Sequence, residues 1–126
     1  MTDASTTRDQ IAQAIESVSE EVAALRQLKL VFSLELHGRG DVQQYRIELP
    51  GPKITKAIAT DARVTVEMRR EFFNAMVAEG ARVADWREAF HYGQAKATGV
   101  SQILRLIERV VSMHEERTQL RRAKPH

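Results

Sequence analysis

The stretch ARVTVEMRREFFNAMVAEGARVADWREAFHYGQAKATG, residues 62–99, changes its hydrophobic period within a few residues. Val64, Val66 and Met68 alternate with polar residues, which is the period-two pattern of a strand with one buried face. The spacing then becomes helical, with an apolar stripe formed by Phe72, Phe73, Met76 and Val77. The pattern therefore predicts a strand that runs almost directly into a helix.

The second half of the same stretch predicts another helix and another strand. Gly80 is a plausible stop for the first helix. Trp86 and Phe90 lie four residues apart, the spacing of one face of a short helix. The run 94–98, between two glycines, is typical of a strand. Four short elements of this kind need one common core, and we expect Phe72, Phe90 and Leu104 to share a buried cluster in it.

A helix and a hairpin are predicted on the N-terminal side. Thr7 and Gln10 form a capping-box pattern, followed by apolar residues at helical spacing: Ile11, Ile15, Val18, Val22 and Leu25. Leucine and phenylalanine alternate with polar residues over 28–36, and a similar alternation covers 44–49. A weaker strand is expected over 53–58, after the Pro50-Gly51-Pro52 break. Residues 1–6 are small and polar, and we expect them to be disordered.

The last element is a helix over 101–113 with an unusually wide apolar arc. Its apolar residues are Ile103, Leu104, Leu106, Ile107, Val110, Val111 and Met113. They cover roughly half of the circumference, more than the ~100° stripe that a surface helix needs. Residues 114–126 predict a charged helical extension. The excess apolar surface indicates that this helix covers a ligand or a partner as well as the sheet.

Together these patterns predict one α+β domain over residues 1–126. We expect a single five-stranded, mostly antiparallel sheet, because strands with one polar face are typical of antiparallel pairing. The N-terminal helix, the two short helices and the C-terminal helix cover this sheet.

Composition excludes several classes of protein. The chain has 126 residues, a formal net charge of +2 and no cysteine, which excludes disulfides and thiol catalysis. No apolar run approaches the ~18 residues of a membrane span, so we expect no integral membrane segment and a cytoplasmic location. The basic C-terminal end has no interleaved aromatic residues and is diluted by Glu115 and Glu116. We therefore expect no nucleic-acid partner.

A series of local features between residues 61 and 107 matches a known pattern. They are Asp61-Ala62 before a strand, Glu71-Phe72-Phe73 and Glu79-Gly80 at the two ends of a helix, the pair Ala89-Phe90, and Gly93 to Gly99 before an apolar helix. In this order they resemble the sterol carrier protein family of lipid-binding domains. The resemblance covers roughly residues 8–113, and 61–107 is its most specific part.

Two features depart from that family. The connection from Gly80 to Phe90 is a few residues longer than usual and lacks the usual proline-containing turn. The final helix also continues into a charged extension beyond Met113. Both departures touch the region in which the family's pocket lies, between the sheet and the helices with the last helix as one wall.

The resemblance implies non-enzymatic binding or transfer of a fatty acid, acyl-CoA or other lipid. It implies an apolar pocket between the sheet and the C-terminal helix, and the candidate ligand-binding residues are Phe32, Val66, Phe73, Met76, Trp86, Phe90, Ile103, Leu104 and Ile107. The same side chains would also suit a filled core. The alternative is a protein-interaction or self-associating module with a closed core, which would use the 82–88 loop and the C-terminal helix to bind a partner or a second copy.

No residue pattern points to catalysis. The serines lack a nucleophile-elbow context, and no pair of carboxylates has a characteristic spacing. None of His37, His91, His114 and His126 lies in an HExxH motif or three to five residues from another histidine. We therefore expect no enzyme activity, no metal site and no cofactor.

Overall fold

The structure is a computed structural model and describes residues 4–123, with side chains described for residues 6–121. The helices are α1 (Ala4–Glu21), α2 (Arg70–Ala78), α3 (Val83–His91) and α4 (Ser101–Ala123), with a 3-10 helix at Ala23–Gln27. The strands are β1 (Leu30–His37), β2 (Val42–Leu49), β3 (Lys53–Thr55), β4 (Val64–Arg69) and β5 (Ala95–Gly99). Within this described part, no helix is both long and apolar enough to cross a bilayer.

The five strands form one mixed sheet in the order β3-β2-β1-β4-β5. The pairs β1–β2, β2–β3 and β4–β5 are antiparallel, and β1–β4 is parallel. After β3 the chain returns past β2 to the far side of β1, so β4 enters the sheet at the same end as β1. The predicted α+β class and the mostly antiparallel sheet are confirmed.

The alternating residues of the strands build one apolar face, which we call the inner face. On β1, Leu34 lies between Tyr45 of β2 and Val66 of β4, and Leu36 lies beside Met68. The helices cover this face, and the buried core consists of Ile11, Leu34, Leu36, Tyr45, Ile47, Met68, Phe73, Val77, Ala89 and Ala95. The period-two reading of the strands therefore identifies the side of the sheet that is buried.

Element boundaries differ from the predicted ones at several places. The helix α1 begins at Ala4, inside the segment expected to be disordered, and it ends at Glu21. The next residue, Val22, has φ −117° and ψ 86°, which are not helical angles, so Leu25 falls in the 3-10 helix. The strand β3 ends at Thr55. The charged extension is helical as far as Ala123, and residues 1–3 and 124–126 lie outside the described residues.

The buried cluster predicted around Phe90 is wrong. Phe90 is 38% exposed, whereas Ala89 beside it is 1% exposed. The buried residues of α3 are Val83 and Ala89, six positions apart, so the centre of its buried face lies on their side of the helix. Phe90 is the penultimate residue of α3, which ends at His91, and its side chain is not part of the core. Phe72 and Leu104, the other two members, are half-buried.

Polar contacts attach α4 to the rest of the domain. The guanidinium of Arg87 on α3 lies 2.8 Å from the Glu115 carboxylate and donates to Ser112 Oγ at 3.4 Å. Glu21, at the end of α1, accepts a hydrogen bond of 2.9 Å from the backbone N–H of Val83. The same carboxylate lies 3.9 Å from His114 Nε2 of α4. These contacts lie in the second half of α4, whereas its first turns pack beside β5.

Gly99 is the position where the backbone leaves no room for a side chain. Its φ of +140° disfavours L side chains, and an added Cβ would collide with the carbonyl oxygen of Arg63. We expect Gly99→Ala to lower the free energy of unfolding by at least about 2 kcal/mol, since backbone strain and overpacking add. Urea unfolding checks this value. Gly93→Ala is the control, because Gly93 has φ +78° with open space around it. Equal losses in the two variants would contradict the predicted collision.

Candidate functional site

An open cavity of about 570 Å³ lies between one end of the sheet and the first turn of α4. Its apolar wall is formed by Leu30 at the start of β1, Leu49 at the end of β2, Pro50 and Ile103. Leu30 and Leu49 are directly paired across the two strands. This volume falls within the ~300–1,000 Å³ that is usual for small-molecule sites.

Two backbone hydrogen bonds bring α4 to this end of the sheet. The N–H of Arg63 donates to the carbonyl of Val31 on β1 at 3.0 Å. The carbonyl of Arg63 in turn accepts from the N–H of Val100, also at 3.0 Å. Since Val100 directly precedes α4, these bonds place Ile103 at the cavity.

The cavity is lined by two carboxylates, Asp61 and Glu48, which share the guanidinium of Arg46, and by two free cations. Arg46 donates to both carboxylate oxygens of Asp61, at 3.0 and 2.7 Å, and to Glu48 at 3.2 Å. These hydrogen bonds lower the pKa of Asp61 and raise that of Arg46. Lys29 and Arg63 also line the cavity, and neither forms an ion pair among the residues that the structure describes. This end of the cavity is therefore suited to an anionic group.

The inner face beside α4 is incompletely covered. Phe32 and Leu49 pack against the core yet remain partly exposed. From residue 101 to 121, no side chain of α4 is fully buried. A filled core would bury both sets of apolar residues against each other. The sheet and the helix therefore present facing apolar groups with space between them at the cavity end.

The structure distributes the predicted ligand-binding residues over several places. Ile103 lines the large cavity, and Leu104 and Ile107 are half-buried on the following turns of α4. Phe32 and Val66 are half-buried on the inner face. The remaining four lie on α2 and α3, away from the cavity lining.

Among those four, Phe73 is 3% exposed and belongs to the core, and Phe90 lies at the rim of the domain. Phe73 and Trp86 contact each other with ring centroids 6.3 Å apart. Met76 and Trp86 line a second cavity between α1, α2 and α3, with a volume of about 20 Å³. That volume is close to the ~10–15 Å³ needed for one water molecule, so it cannot hold an acyl chain.

Sequence reasoning missed the cavity residues outside α4. Leu30 and Leu49 were identified as inward-facing strand residues, but nothing in the alternation marks them as an uncovered pair. Lys29 and Arg63 lie just before β1 and β4 and carry no motif. They lie at the same end of the sheet because β1 and β4 run parallel, and no local sequence pattern indicates that pairing.

Similar proteins were found by comparison of structures and not by comparison of sequences. No protein-family model matches the sequence, and no curated protein sequence matches it. The palmitated sterol carrier protein 2 like 2 of Aedes aegypti is 22% identical, with a TM-score of 0.55 over 79% of this chain and 91% of that chain. The A. aegypti sterol carrier protein 2 in complex with palmitate is 15% identical, with a TM-score of 0.51 over 88% of this chain and 96% of that chain.

A sec-alkyl sulfatase has a similar domain. It is 17% identical with a TM-score of 0.53 over 82% of this chain, but the match covers 15% of the sulfatase chain. The likeness therefore concerns one part of a much larger enzyme. The sterol carrier protein structures, by contrast, are matched over nearly their whole length, and the chain has the fold of the sterol carrier protein domains.

Proposed function

We propose that the protein is a non-enzymatic lipid-binding domain that holds an acyl chain between the inner face of the sheet and α4. The observation that carries this proposal is the open cavity with an apolar wall at Leu30, Leu49 and Ile103. The two A. aegypti proteins with this fold are described as palmitated or as bound to palmitate, which supports the same class of ligand.

The charges favour a lipid with an anionic head. An acyl chain against the apolar wall would place its head near Lys29 and Arg63, the two cavity cations without an ion pair in the described part of the chain. Each buried methylene contributes about 0.8 kcal/mol, so eight methylenes contribute on the order of 6 kcal/mol before the entropy of association is subtracted. A fatty acid fits this chemistry, with the chain supplying affinity and the carboxylate supplying orientation.

The extent of the binding site is part of the proposal. A long chain that continues from the cavity along α4 would contact Phe32, Val66, Leu104 and Ile107. Phe73, Met76, Trp86 and Phe90 stay predictions as ligand contacts, and their positions on α2 and α3 favour a structural role. A cytoplasmic location also stays a prediction.

Mass spectrometry of an organic-solvent extract of the purified protein tests the proposed function. We expect an anionic acyl lipid in near-stoichiometric amount, or, if the protein purifies empty, saturable binding of added palmitate. Protein that carries no lipid and binds no palmitate would contradict the proposal.

A second candidate function is self-association through α4. Leu106, Met113 and Leu120 are all exposed and follow one another at intervals of seven residues. Residues seven apart lie on nearly the same side of a helix, so these three form an apolar stripe directed away from the core. Such a stripe is the surface that a second copy of the helix would cover.

Sedimentation analysis tests this candidate. We expect serine substitutions at Leu106, Met113 and Leu120 together to raise the dimer dissociation constant at least about tenfold, because the apolar contact is lost. The matched control substitutes Gln102, Arg109 and Glu116, which have the same spacing on the same helix and are exposed polar residues. A chain that is monomeric at all concentrations would contradict self-association.

A further inference from the structure

The polar face of the sheet, opposite the inner face, carries a compact group of potential metal ligands. Glu35 and His37 are alternate residues of β1, so their side chains lie on the same face. Glu67 of β4 is paired directly with Glu35. One donor atom from each residue lies within 4.8 Å of the other two.

We infer that Glu35, His37 and Glu67 form a binding site for a divalent metal ion of the Zn²⁺ class. His37 Nε2 lies 3.4 Å from Glu35 Oε1 and 3.8 Å from Glu67 Oε2. Donors about 2.0–2.2 Å from a tetrahedral metal ion lie roughly 3.3–3.6 Å apart, so small side-chain rotations suffice for coordination. One imidazole and two carboxylates are a donor set that suits Zn²⁺.

The environment of His37 supports a ligand role. Among the residues that the structure describes, its Nε2 atom is buried and has no hydrogen-bond partner, although the side chain is 41% exposed. A buried polar atom without a partner is uncommon in folded proteins, and a bound ion is one of its recognised explanations. Glu35 and Glu67 are both partly exposed, which leaves room for solvent to complete the coordination.

The cations around the cluster do not neutralise the two carboxylates. Arg46, on the same face of β2, is engaged by Asp61 and Glu48. Lys96 is paired across the sheet with Glu67, and Arg69 with His37, but neither forms an ion pair among the residues that the structure describes. The two carboxylates therefore keep their negative charge available for a cation.

The geometry also explains why the sequence gives no sign of this site. Known metal motifs place two ligands on one helix or loop at a fixed spacing. Here two ligands come from one strand and the third from a strand about thirty residues further along, and only the parallel register of β1 and β4 brings them together.

Isothermal titration calorimetry of the metal-free full chain with Zn²⁺ tests the inference. We expect one equivalent to bind, and we expect His37→Gln and the double variant Glu35→Gln, Glu67→Gln each to weaken binding at least about tenfold. The matched controls are His91→Gln and Glu88→Gln, which alter an exposed histidine and an exposed glutamate on α3. Nearly isosteric changes at partly exposed positions should preserve the fold, and circular dichroism checks it.

A second measurement separates this site from adventitious binding. Zn²⁺ should raise the melting temperature of the wild-type protein and of both controls, but not of His37→Gln. The inference would be overturned if the wild-type protein did not bind Zn²⁺ or if His37→Gln bound it as tightly as the wild type. It would also be overturned if the controls lost as much Zn²⁺ affinity as the site variants. Palmitate binding should be the same in all variants, because the proposed lipid site lies at the start of β1 and the metal site at its end.

Discussion

Phe73→Ala is expected to lower the free energy of unfolding by about 3–5 kcal/mol, the usual cost of removing a fully buried aromatic side chain. Phe73 is 3% exposed, belongs to the core beneath α2 and contacts the ring of Trp86. The substitution would therefore leave a cavity where the inner face, α2 and α3 meet. Urea unfolding followed by circular dichroism gives the value.

Phe90→Ala is the matched control, because it removes the same atoms from the next helix. Phe90 is 38% exposed at the end of α3. Removing its side chain should lower the free energy of unfolding by about 1 kcal/mol or less. Equal losses for the two phenylalanines would show that the buried face of α3 includes Phe90 and would contradict the described packing.

Ile103→Trp is expected to abolish measurable palmitate binding while leaving the protein folded. The larger side chain would project into the cavity at the first turn of α4 and obstruct it, because the wild-type isoleucine there is only half-buried. Because the added ring enters open space, it avoids the overpacking that a similar change causes in a filled core. A titration with a fluorescent fatty acid should show affinity reduced at least about a hundredfold, equivalent to about 2.7 kcal/mol.

Leu106→Trp serves as the control for that variant. Leu106 lies on the same helix, is exposed, and does not line the cavity. Unchanged binding in Leu106→Trp together with loss in Ile103→Trp would support the cavity as the site. If Ile103→Trp bound palmitate with full affinity, the lipid would have to bind outside this cavity.

Much of the fold could be predicted because local pattern and burial agree. The alternation of Val64, Val66 and Met68 follows from a pleated strand with one apolar face, and such a face must be buried wherever the strand lies. The parallel pairing of β1 with β4 could not be predicted in this way. It depends on the path of the chain from β3 across the end of the sheet, which no local period encodes.

The site was harder to predict because a cavity forms where apolar side chains do not meet, and the sequence pattern shows only which side chains are apolar. The wide apolar arc of α4 correctly indicated surface in excess of what a covering helix needs, but it gave no partner for that surface. The position of α4 at the cavity depends on Arg63, whose backbone links Val31 of β1 to Val100 just before α4. Phe90 was misplaced for a related reason: with Trp86 it fits a helical stripe, and only the packing of α3 shows that Ala89 occupies the core position instead.

A heteronuclear NMR titration with palmitate tests whether the cavity at Leu30, Leu49 and Ile103 holds the acyl chain, because it reports every backbone amide at once. We expect saturable shifts centred on Lys29 to Val31, on Leu49, on Arg63 and on the first turns of α4. Substitution of Lys29 and Arg63 by glutamine should weaken the binding of palmitate more than that of an uncharged alcohol of the same chain length. Absence of shifts at any excess of palmitate, or shifts confined to the exposed stripe of Leu106, Met113 and Leu120, would contradict binding in this cavity.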